Sequence, residues 1–402
     1  MPTGLYITVP FCRSKCSYCN FASDVFSGSV FERYVDRVCC DIENTIVTAE
    51  QMGGDIDLDA DSVYLGGGTP TLLDIKQFER LFAAVAQNFR LRADAEVTVE
   101  CAPGTLSPAM LEAFQRCGVN RVSLGVQSFV DREAASVGRL HTEKIVAGDI
   151  ASLRRAGIVN LNVDLIAGLP HQTAQSWEVS LREAVACGAP HVSIYMLEVD
   201  EDSRLGRELL AGGTKYHAHS VPDEDLTADL YTTACAYLEA AGIHQYEISN
   251  FARPQYRSRH NLKYWTRQPY LGFGVDAHSM LRAAPRRGLP GEVAQDAVRF
   301  ATSDSLEAFL RRSPLSRTAI SLHTALEETW FLGLRLTRGI DLTEVAAGFG
   351  ADAVGGFYAA ITELIACGLM ERETDTIRLT PRGRLLSNEV FERFISCAVV
   401  AC

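Results

Sequence analysis

The sequence predicts an α/β fold with a parallel sheet, arranged as a partial (β/α)6 barrel. Strand-like and helix-like segments alternate in about six units along the first 200 residues, a pattern typical of βα folds. Polar residues or glycines also stand directly after the predicted strands. Folds of this class place their sites at the carboxyl ends of the strands, so we expect a site at that edge.

The six predicted strands are short runs rich in β-branched and aromatic residues. They cover residues 5–9, 62–65, 95–99, 121–124, 160–165 and 191–195. The helices between them carry apolar residues at helical spacing and cover 31–49, 75–89, 108–117, 142–156 and 173–187. Pro108 in a first turn, and Gly118, Gly157 and Gly188 after last turns, are typical of helix ends.

Beyond residue 200 the sequence predicts an irregular extension and then a separate C-terminal unit. In the extension we expect a polar stretch at 204–223, a helix at 226–241, an extended segment at 245–251, an aromatic-rich polar loop at 258–265 and an exposed excursion at 282–301. In the C-terminal unit we expect helices at 324–336, 342–349, 354–367 and 384–394, and short strands at 368–371 and 376–380. The predicted domains are 1–200, 201–315 and 316–402.

The mostly helical C-terminal unit resembles a winged helix, a fold often used on DNA. Its basic residues are scattered among acidic ones, however, so the electrostatic footprint for DNA is missing. The whole chain has 38 basic and 50 acidic residues and a net charge of −12, which argues against nonspecific nucleic-acid binding. We therefore expect a packing or lid module, and no nucleic-acid partner.

The composition also bears on cellular location. The N-terminus has neither the basic region nor the long apolar region of a signal peptide, and no apolar run is as long as a membrane span. Apart from three near the N-terminus, the twelve cysteines are scattered or lie on apolar periodic stretches, where free cysteine behaves as a small hydrophobe. We expect a reducing, cytoplasmic location with at most peripheral membrane contact.

The remaining three cysteines, Cys12, Cys16 and Cys19, have the spacing C-x3-C-x2-C directly after the first predicted strand. Three thiolates can hold three irons of a [4Fe–4S] cube and leave the fourth iron without a protein ligand. A zinc site would usually need a second cysteine pair, which does not follow. A disulfide framework would need an oxidising compartment. The spacing therefore favours an iron–sulfur cluster with one open iron.

This spacing resembles that of the radical S-adenosylmethionine (radical SAM) enzymes, in which SAM chelates the open iron and is split to a 5'-deoxyadenosyl radical. Further motifs extend the resemblance to the family of oxygen-independent coproporphyrinogen III oxidases, and within it to a group of haem chaperones. These motifs are Tyr6, Gly-Gly-Gly-Thr-Pro-Thr at 66–71, Val-Glu at 99–100, Gly-Val-Gln-Ser-Phe at 125–129, Asn-Val-Asp-Leu-Ile at 162–166, Gly-Leu-Pro at 168–170 and His-Asn-Leu-Lys-Tyr-Trp at 260–265.

The resemblance implies a set of SAM-binding residues. Tyr6 lies near the cluster-bound SAM, Tyr18 packs on its adenine, and the glycine run takes its amino group through backbone oxygens. Glu100 is a carboxylate that can accept from ribose hydroxyls or an ammonium. The full set is Tyr6, Tyr18, Gly67, Gly68, Thr69, Glu100, Gln127, Arg139 and Asp164. In the oxidase the positions of the last three contact a second SAM; with one SAM, Arg139 and Asp164 would hold its carboxylate and ribose.

One departure from the family pattern separates two possible functions. The oxidases carry a further cysteine two residues after the third ligand, and this chain has Phe21 there. Because a phenyl ring cannot replace a reactive thiol, the resemblance favours a haem chaperone that delivers haem to an acceptor protein. The alternative is oxidative decarboxylation of coproporphyrinogen III to protoporphyrinogen IX. A DNA-associated regulator is a third and remoter alternative.

The motif at 260–265 is the candidate haem site. Histidine commonly holds haem iron, and aromatic rings offer a flat macrocycle a stacking surface. The resemblance therefore implies His260 as an iron ligand and Asn261, Tyr264 and Trp265 as neighbouring contacts. Two alternatives stay open: the motif can simply tie the C-terminal part to the barrel, or haem can be attached covalently at another residue. The expected cofactors are the cluster and SAM, with haem as cargo and an electron donor as a further partner.

Overall fold

The computed structural model describes residues 1–201, 203–285 and 295–395. Its strands are β1 Thr3–Val9, β2 Gly54–Asp55, β3 Asp59–Gly67, β4 Arg90–Cys101, β5 Arg121–Gln127, β6 Asn160–Ala167, β7 His191–Met196, β8 His244–Gln245, β9 Asn250–Ala252, β10 Tyr270–Phe273, β11 His278–Ala283, β12 Gln295–Ala301, β13 Ser316–Ser321, β14 Ile340–Asp341, β15 Met370–Glu373 and β16 Thr376–Leu379.

The helices lie mainly between these strands and at the C-terminal end. They are α1 Gly28–Glu43, α2 Thr45–Met52, α3 Ile75–Asn88, α4 Pro108–Arg116, α5 Asp131–Ser136, α6 Glu143–Arg155, α7 Ala174–Ala186, α8 Arg204–Ala211, α9 Glu224–Ala240, α10 Arg259–Trp265, α11 Leu306–Leu310, α12 Leu322–Gly333, α13 Leu342–Phe349, α14 Ala351–Gly355, α15 Tyr358–Ala366, α16 Pro381–Leu385 and α17 Ser387–Glu392. Two short 3-10 turns lie at Pro70–Leu72 and Ala218–Ser220. None of the described helices has the length and apolar character needed to cross a membrane.

One mixed sheet of thirteen described strands forms the body of the molecule. Its order is β13-β12-β11-β10-β1-β3-β4-β5-β6-β7-β9-β8, and β2 pairs with β11. The seven strands from β10 to β7 in this order are parallel to their neighbours, and the outer strands are antiparallel. All six predicted strands are present, so the predicted α/β class is confirmed. The seventh parallel strand, β10, comes from the extension.

Alternation along these strands directs a row of polar side chains away from the apolar core. On β4, for example, Val97 and Val99 belong to the main hydrophobic cluster, whereas Glu96, Thr98 and Glu100 lie on the other face. Helix ends follow local chemistry: Asp74 and Gln77 form a reciprocal capping box at α3, and Ser107 caps α4 before Pro108. At the carboxyl ends of the strands, these polar side chains therefore lie side by side along one edge of the sheet.

Several boundary predictions were wrong. The helix expected at 31–49 is interrupted at Asn44, giving α1 and α2, and the polar stretch at 204–223 contains α8, which Ser203 caps and Gly212 ends at positive φ. The loop expected at 258–265 is the helix α10. The excursion expected at 282–301 contains β12, a paired strand with Ala297 and Val298 buried, and its middle part, 286–294, lies outside the described residues.

The C-terminal unit has its own hydrophobic core, formed by residues such as Trp330, Ile377 and Phe394. Its strands form an antiparallel sheet in the order β14-β16-β15, so the two predicted short strands are present. The winged-helix likeness stays a prediction. Because β13 pairs with β12 in the main sheet, we propose that this unit begins after β13 and not at residue 316.

Candidate functional site

The cysteine loop begins where β1 ends and is fixed on one side by the glycine run. Gly68 N donates to Val9 O at 2.9 Å, and Thr69 N donates to Phe11 O at 2.8 Å. A Cβ on Gly68 would lie 2.7 Å from Val9 O and 2.8 Å from the oxygen of Phe11, closer than real contacts allow. Only glycine therefore permits this approach, and the run positions the loop that carries the cysteines.

The other side of the loop is held by the α5–α6 connection and by α8. Ser14 Oγ donates to Gly138 O at 2.9 Å, and Ser17 N donates to Val137 O at 3.1 Å. Leu205 N, in the first turn of α8, donates to Ser17 O at 2.8 Å. A loop bonded to three separate segments loses little further entropy when it binds a ligand.

The three thiols fit an iron–sulfur cluster by their chemistry. Cys12, Cys16 and Cys19 are free and partly buried. Burial raises the pKa of the Cys12 thiol, a hydrogen bond with Ser23 lowers it, and the thiols of Cys19 and Cys16 on the same loop raise it. Among the described residues, no three His, Cys, Asp or Glu side chains converge tightly enough for a single metal ion.

Beside the loop, Arg139 supplies an unsatisfied cationic group. Its Nη2 donates to the Tyr18 hydroxyl at 3.1 Å, whereas its Nε is buried with no hydrogen-bond partner. A Cβ built on Gly125 would lie 3.2 Å from Gln127 Nε2 and 3.4 Å from Arg139 Nη2, so both side chains lie over this glycine. The orphaned Nε next to Tyr18 suits a bound carboxylate, because buried donors are normally paired.

Glu100 lies at the end of β4, directly below the glycine run. Its carboxylate accepts from the Tyr64 hydroxyl at 2.8 Å and from Gly67 N at 3.0 Å. Burial raises the pKa of this carboxyl to about 7; the Tyr64 hydrogen bond opposes the shift and the negative charge of Asp164 adds to it. A group that changes charge near neutral pH at this edge is a candidate for binding a cationic or hydroxylated ligand.

Asp164 stands on the adjacent part of the same edge, on β6. Its carboxylate accepts from Asn162 Nδ2 at 2.7 Å and from Ser123 Oγ at 3.0 Å. Burial raises the pKa of Asp164, while hydrogen bonds from Ser193, Asn162 and Ser123 lower it. The structure thus places the predicted residues of the cysteine loop, glycine run, β4, β5 and β6 along one edge.

The candidate haem motif lies elsewhere, near the base of the strands. The side chain of His260 is 1% exposed. Its Nδ1 is 2.9 Å from Ser62 Oγ and its Nε2 is 2.8 Å from the Tyr264 hydroxyl. Burial, together with the charges of Lys263 and Arg121, lowers the pKa of the imidazole to about 3. Because both nitrogens are bonded and enclosed, the structure argues against His260 as a haem ligand.

The rest of the motif also makes internal contacts. Asn261 N donates to the capping Ser258 at 3.3 Å, and the Tyr264 ring packs edge-on against Tyr270 at 4.6 Å. The guanidinium of Arg335 lies 4.3 Å from the centre of the Trp265 ring, although Trp265 Nε1 is buried without a partner. These contacts favour the alternative in which the motif ties the C-terminal part to the barrel.

Sequence reasoning missed residues that connect these two regions. Tyr64 holds Glu100, and its ring centre is 5.8 Å from that of Tyr6 and 5.3 Å from that of His260. Arg121 is 1% exposed, and its Nε has no hydrogen-bond partner. The position of Tyr64 two residues before Gly66, hence on the same strand face, was the available signal; nothing local in the sequence marked Arg121.

A cleft of about 480 Å³ lies away from the cysteines. Met1, Asp57 and Leu58 line it together with Arg90 and Arg282, so it borders the amino ends of β1 and β3. This cleft therefore does not mark the candidate site; the three thiols of the cysteine loop and the perturbed carboxyl groups at the opposite edge do.

Comparisons with known proteins indicate the family of this chain. A model of the radical SAM superfamily matches residues 6–184, and a model of the HemN C-terminal domain matches residues 320–386. Among curated proteins, the heme chaperone HemW of Bacillus subtilis is 32% identical, with 97% of this chain and 98% of that protein aligned. The heme chaperone HemW of Escherichia coli is 31% identical, with 98% of each chain aligned.

A solved structure and a mitochondrial relative extend the comparison. The coproporphyrinogen III oxidase HemN of Escherichia coli superposes with a TM-score of 0.80 at 23% identity, covering 98% of this chain and 90% of that one. This likeness concerns the fold alone. A mitochondrial radical SAM domain-containing protein 1 of Bos taurus is 36% identical, with 84% of this chain and 74% of that protein aligned.

Proposed function

This chain belongs to the HemW family of radical SAM proteins, and on that premise we propose that it binds haem and delivers it to an acceptor protein. The observation that carries the proposal is similarity to HemW chaperones at 31–32% identity along nearly the whole chain. The radical SAM family implies a [4Fe–4S] cluster and SAM as cofactors. Reduction of the cluster would also require a one-electron donor as a further partner.

We assign the cofactors to the carboxyl edge of the parallel strands. Cys12, Cys16 and Cys19 would hold three irons, leaving the fourth for the amino and carboxylate groups of SAM, and the cluster would supply one electron to the bound sulfonium. The chain's own groups then position the ligand. Arg139 offers its free Nε to a carboxylate, and Glu100 accepts from hydroxyl or ammonium groups.

Phe21 supports the chaperone over the oxidase alternative. Its side chain is 62% exposed beside the cysteine loop, where it offers an apolar ring and no acidic or nucleophilic group. Lys15 Nζ donates to the Phe21 carbonyl at 3.4 Å, so the backbone of Phe21 contributes to the conformation of the cysteine loop. In the oxidases that the sequence resembles, a further cysteine stands at this position.

We propose a reducing compartment, the cytoplasm, for this protein. The ten cysteines in the described residues are free, and three of them would carry an oxygen-sensitive cluster. The acceptor protein is expected to take haem from the folded, cluster-bearing chain.

Two assays on the anaerobically reconstituted protein test the proposal. Haem titration should shift the Soret band and reach saturation near one haem per chain, whereas no shift removes the chaperone function. Incubation with coproporphyrinogen III, SAM and a reductant should give no protoporphyrinogen IX. Turnover in the second assay would establish the oxidase alternative and overrule the argument from Phe21.

A further inference from the structure

We propose that haem binds on the surface formed by α8 and the 3-10 turn Ala218–Ser220, with His219 as the iron ligand. This inference rests on the proposed haem function and names its site. It places haem beside the cysteine loop and away from the motif at 260–265. The surface residues that carry it are Leu209, Leu210, Arg207, Lys215 and His219.

All nine histidines of the chain lie in described residues, and three of them are enclosed. His191 is bonded through Nδ1 to Asn162 at 2.6 Å and through Nε2 to Tyr246 at 2.9 Å. His260 is bonded through both nitrogens as described above. His141 is 6% exposed, and its Nε2 is bonded to the Val126 carbonyl at 3.0 Å. Iron could reach these nitrogens only by breaking buried hydrogen bonds.

Three more histidines are exposed but each lies beside a carboxylate. His244 Nδ1 is 2.8 Å from Glu239, His278 Nε2 is 3.6 Å from Asp276, and His323 Nε2 is 3.3 Å from Glu327. These three are on separate elements, and no second imidazole accompanies any of them among the described ring contacts. Each is adequately explained as half of a surface ion pair.

The last three histidines form one cluster at the surface. His171 Nε2 lies 3.3 Å from His217 Nδ1, and the ring centres of His217 and His219 are 6.4 Å apart. Arg132 Nη2, which can only donate, lies 3.3 Å from His171 Nδ1. That bond fixes the tautomer: His171 Nδ1 accepts and its Nε2–H donates to His217. His219 has no hydrogen-bond partner among the described residues, so its nitrogens are available to iron.

The backbone at this cluster carries strain. His171 has φ of 68° and His217 has φ of 58°, in the left-handed region that non-glycine residues rarely adopt. His171 N also donates to Ser220 O at 2.8 Å, which ties the loop after β6 to the 3-10 turn. Strained residues persist where the surroundings over-determine them, and they concentrate at functional sites.

The neighbouring helix supplies what the rest of a haem molecule needs. Leu209 and Leu210 of α8 are 48% and 70% exposed, which is unusual for leucines on a short helix that already buries Leu205. Between residues 204 and 219 the chain has three basic residues and one acidic residue, although its overall net charge is −12. Arg207 and Leu210 are three residues apart on α8 and so share a helix face, and Lys215 follows the end of the helix. Apolar surface for the macrocycle is thus accompanied by cations for the propionates.

The surface also adjoins the candidate cofactor edge. Leu205 of α8 is bonded to Ser17 in the cysteine loop, and Arg204 Nη1 donates to Lys15 O at 3.4 Å. Haem bound on α8 would therefore contact an element fixed to the cluster loop. Occupation of one site can then influence the other through these bonds.

Haem titration of the full-length protein tests the site, followed by the Soret band and by the low-spin haem signal. His219→Ala should weaken haem binding at least about tenfold and change the band position, a typical cost of altering metal ligation. His219→Gly with added free imidazole should recover the wild-type spectrum, a result that a structural role for His219 would not produce. Leu209→Ser/Leu210→Ser should weaken binding while keeping the ligand spectrum.

Two controls separate this proposal from the broader one. His244→Ala removes an exposed imidazole from β8 and should bind haem as the wild type does. His260→Gln should also keep the wild-type spectrum. Wild-type affinity and spectrum in His219→Ala, or their loss in His260→Gln alone, overturns the α8 site while leaving the haem function intact. Absence of any Soret shift in the wild type overturns the haem function itself.

Discussion

The two ends of the parallel strands differ in what their polar groups bond to. At the base, Glu96 accepts from Ser258 Oγ and from the backbone N of Arg259 and His260, and both nitrogens of His260 are bonded. At the carboxyl edge, Cys12, Cys16 and Cys19 form no disulfide and remain as thiols. A buried arginine Nε without a partner occurs at both ends, so it is the thiols that distinguish the edge. Polar residues thus make a joint between elements of the chain at the base and a candidate ligand site at the edge.

The largest effect is expected at the open edge. Replacing Cys16 by alanine should reduce iron after anaerobic reconstitution from about four atoms per chain to nearly none, because a cube held by two thiolates is exposed to loss. The matched control is Cys117→Ala, at the end of α4, which should keep its iron. Iron analysis and visible absorbance measure both. Full iron and absorbance in Cys16→Ala would show that the ligands are elsewhere.

A substitution at the base should change the stability of the protein and not its cofactor content. Lys263 is 3% exposed, and its Nζ lies 2.7 Å from Asp61 and 2.9 Å from the Pro2 carbonyl. Lys263→Met leaves Asp61 without its counter-charge, so the free energy of unfolding should fall by about 3 kcal/mol. Denaturant titration of the apoprotein measures this.

The control for this change is Arg92→Met. Arg92 pairs with Asp94 at 3.2 Å, with both side chains more than half exposed, so the change should stay within about 0.5 kcal/mol. Equal losses in the two variants would mean that the buried pair of Lys263 and Asp61 does not stabilise the base.

Two glycine substitutions test the role of the glycine run. Gly68→Ala forces a Cβ to within 2.7 Å of Val9 O, so the loop must shift; we expect about 1–3 kcal/mol of destabilisation and weaker iron retention. Gly148→Ala, inside α6 with nothing within 4 Å of its Cβ, should gain up to about 1 kcal/mol. Thermal unfolding and iron content after dialysis measure both. Unchanged iron retention in Gly68→Ala would separate the run from the cysteine loop.

The smallest expected effect is the contribution of Glu100 to the pH dependence of the free energy of unfolding. Its pKa in the folded protein is about 7, against an ordinary 4.5. The folded state binds the proton of the Glu100 carboxyl more tightly than the unfolded state does. The free energy of unfolding should therefore fall as pH rises from about 4.5 to about 7, and the contribution of Glu100 should be constant above that. Glu100→Gln should remove about 1–2 kcal/mol of this decline in the apoprotein. A parallel pH profile in both proteins would mean that Glu100 titrates normally.

The sequence predicted the repetitive part of the fold better than the joint. Five of the long helices and all six core strands follow from local periodicity and from ends such as Pro108 and Gly188. The helix α10 was missed because its start depends on Glu96, more than 160 residues away, which binds its first N–H groups. Such a contact exists only after the strands have paired.

The same limit applies to the site. The spacing of Cys12, Cys16 and Cys19 and the residues at strand ends were visible locally, because strand carboxyl ends share one edge. The burial of His260 was not visible, since a histidine with aromatic neighbours reads alike in a ligand site and in a packed joint. The histidine cluster near α8 was also missed, because His171 and His217 meet only in the fold.

The central claim is that SAM binds the open iron at the cysteine loop. The measurement is the EPR spectrum of the reduced, reconstituted protein before and after SAM is added, with Arg139→Met as the comparison. The account predicts that SAM changes the g-values of the cluster in the wild type, and that Arg139→Met requires more SAM for the same change. A spectrum that SAM leaves unaltered in the wild type would contradict it.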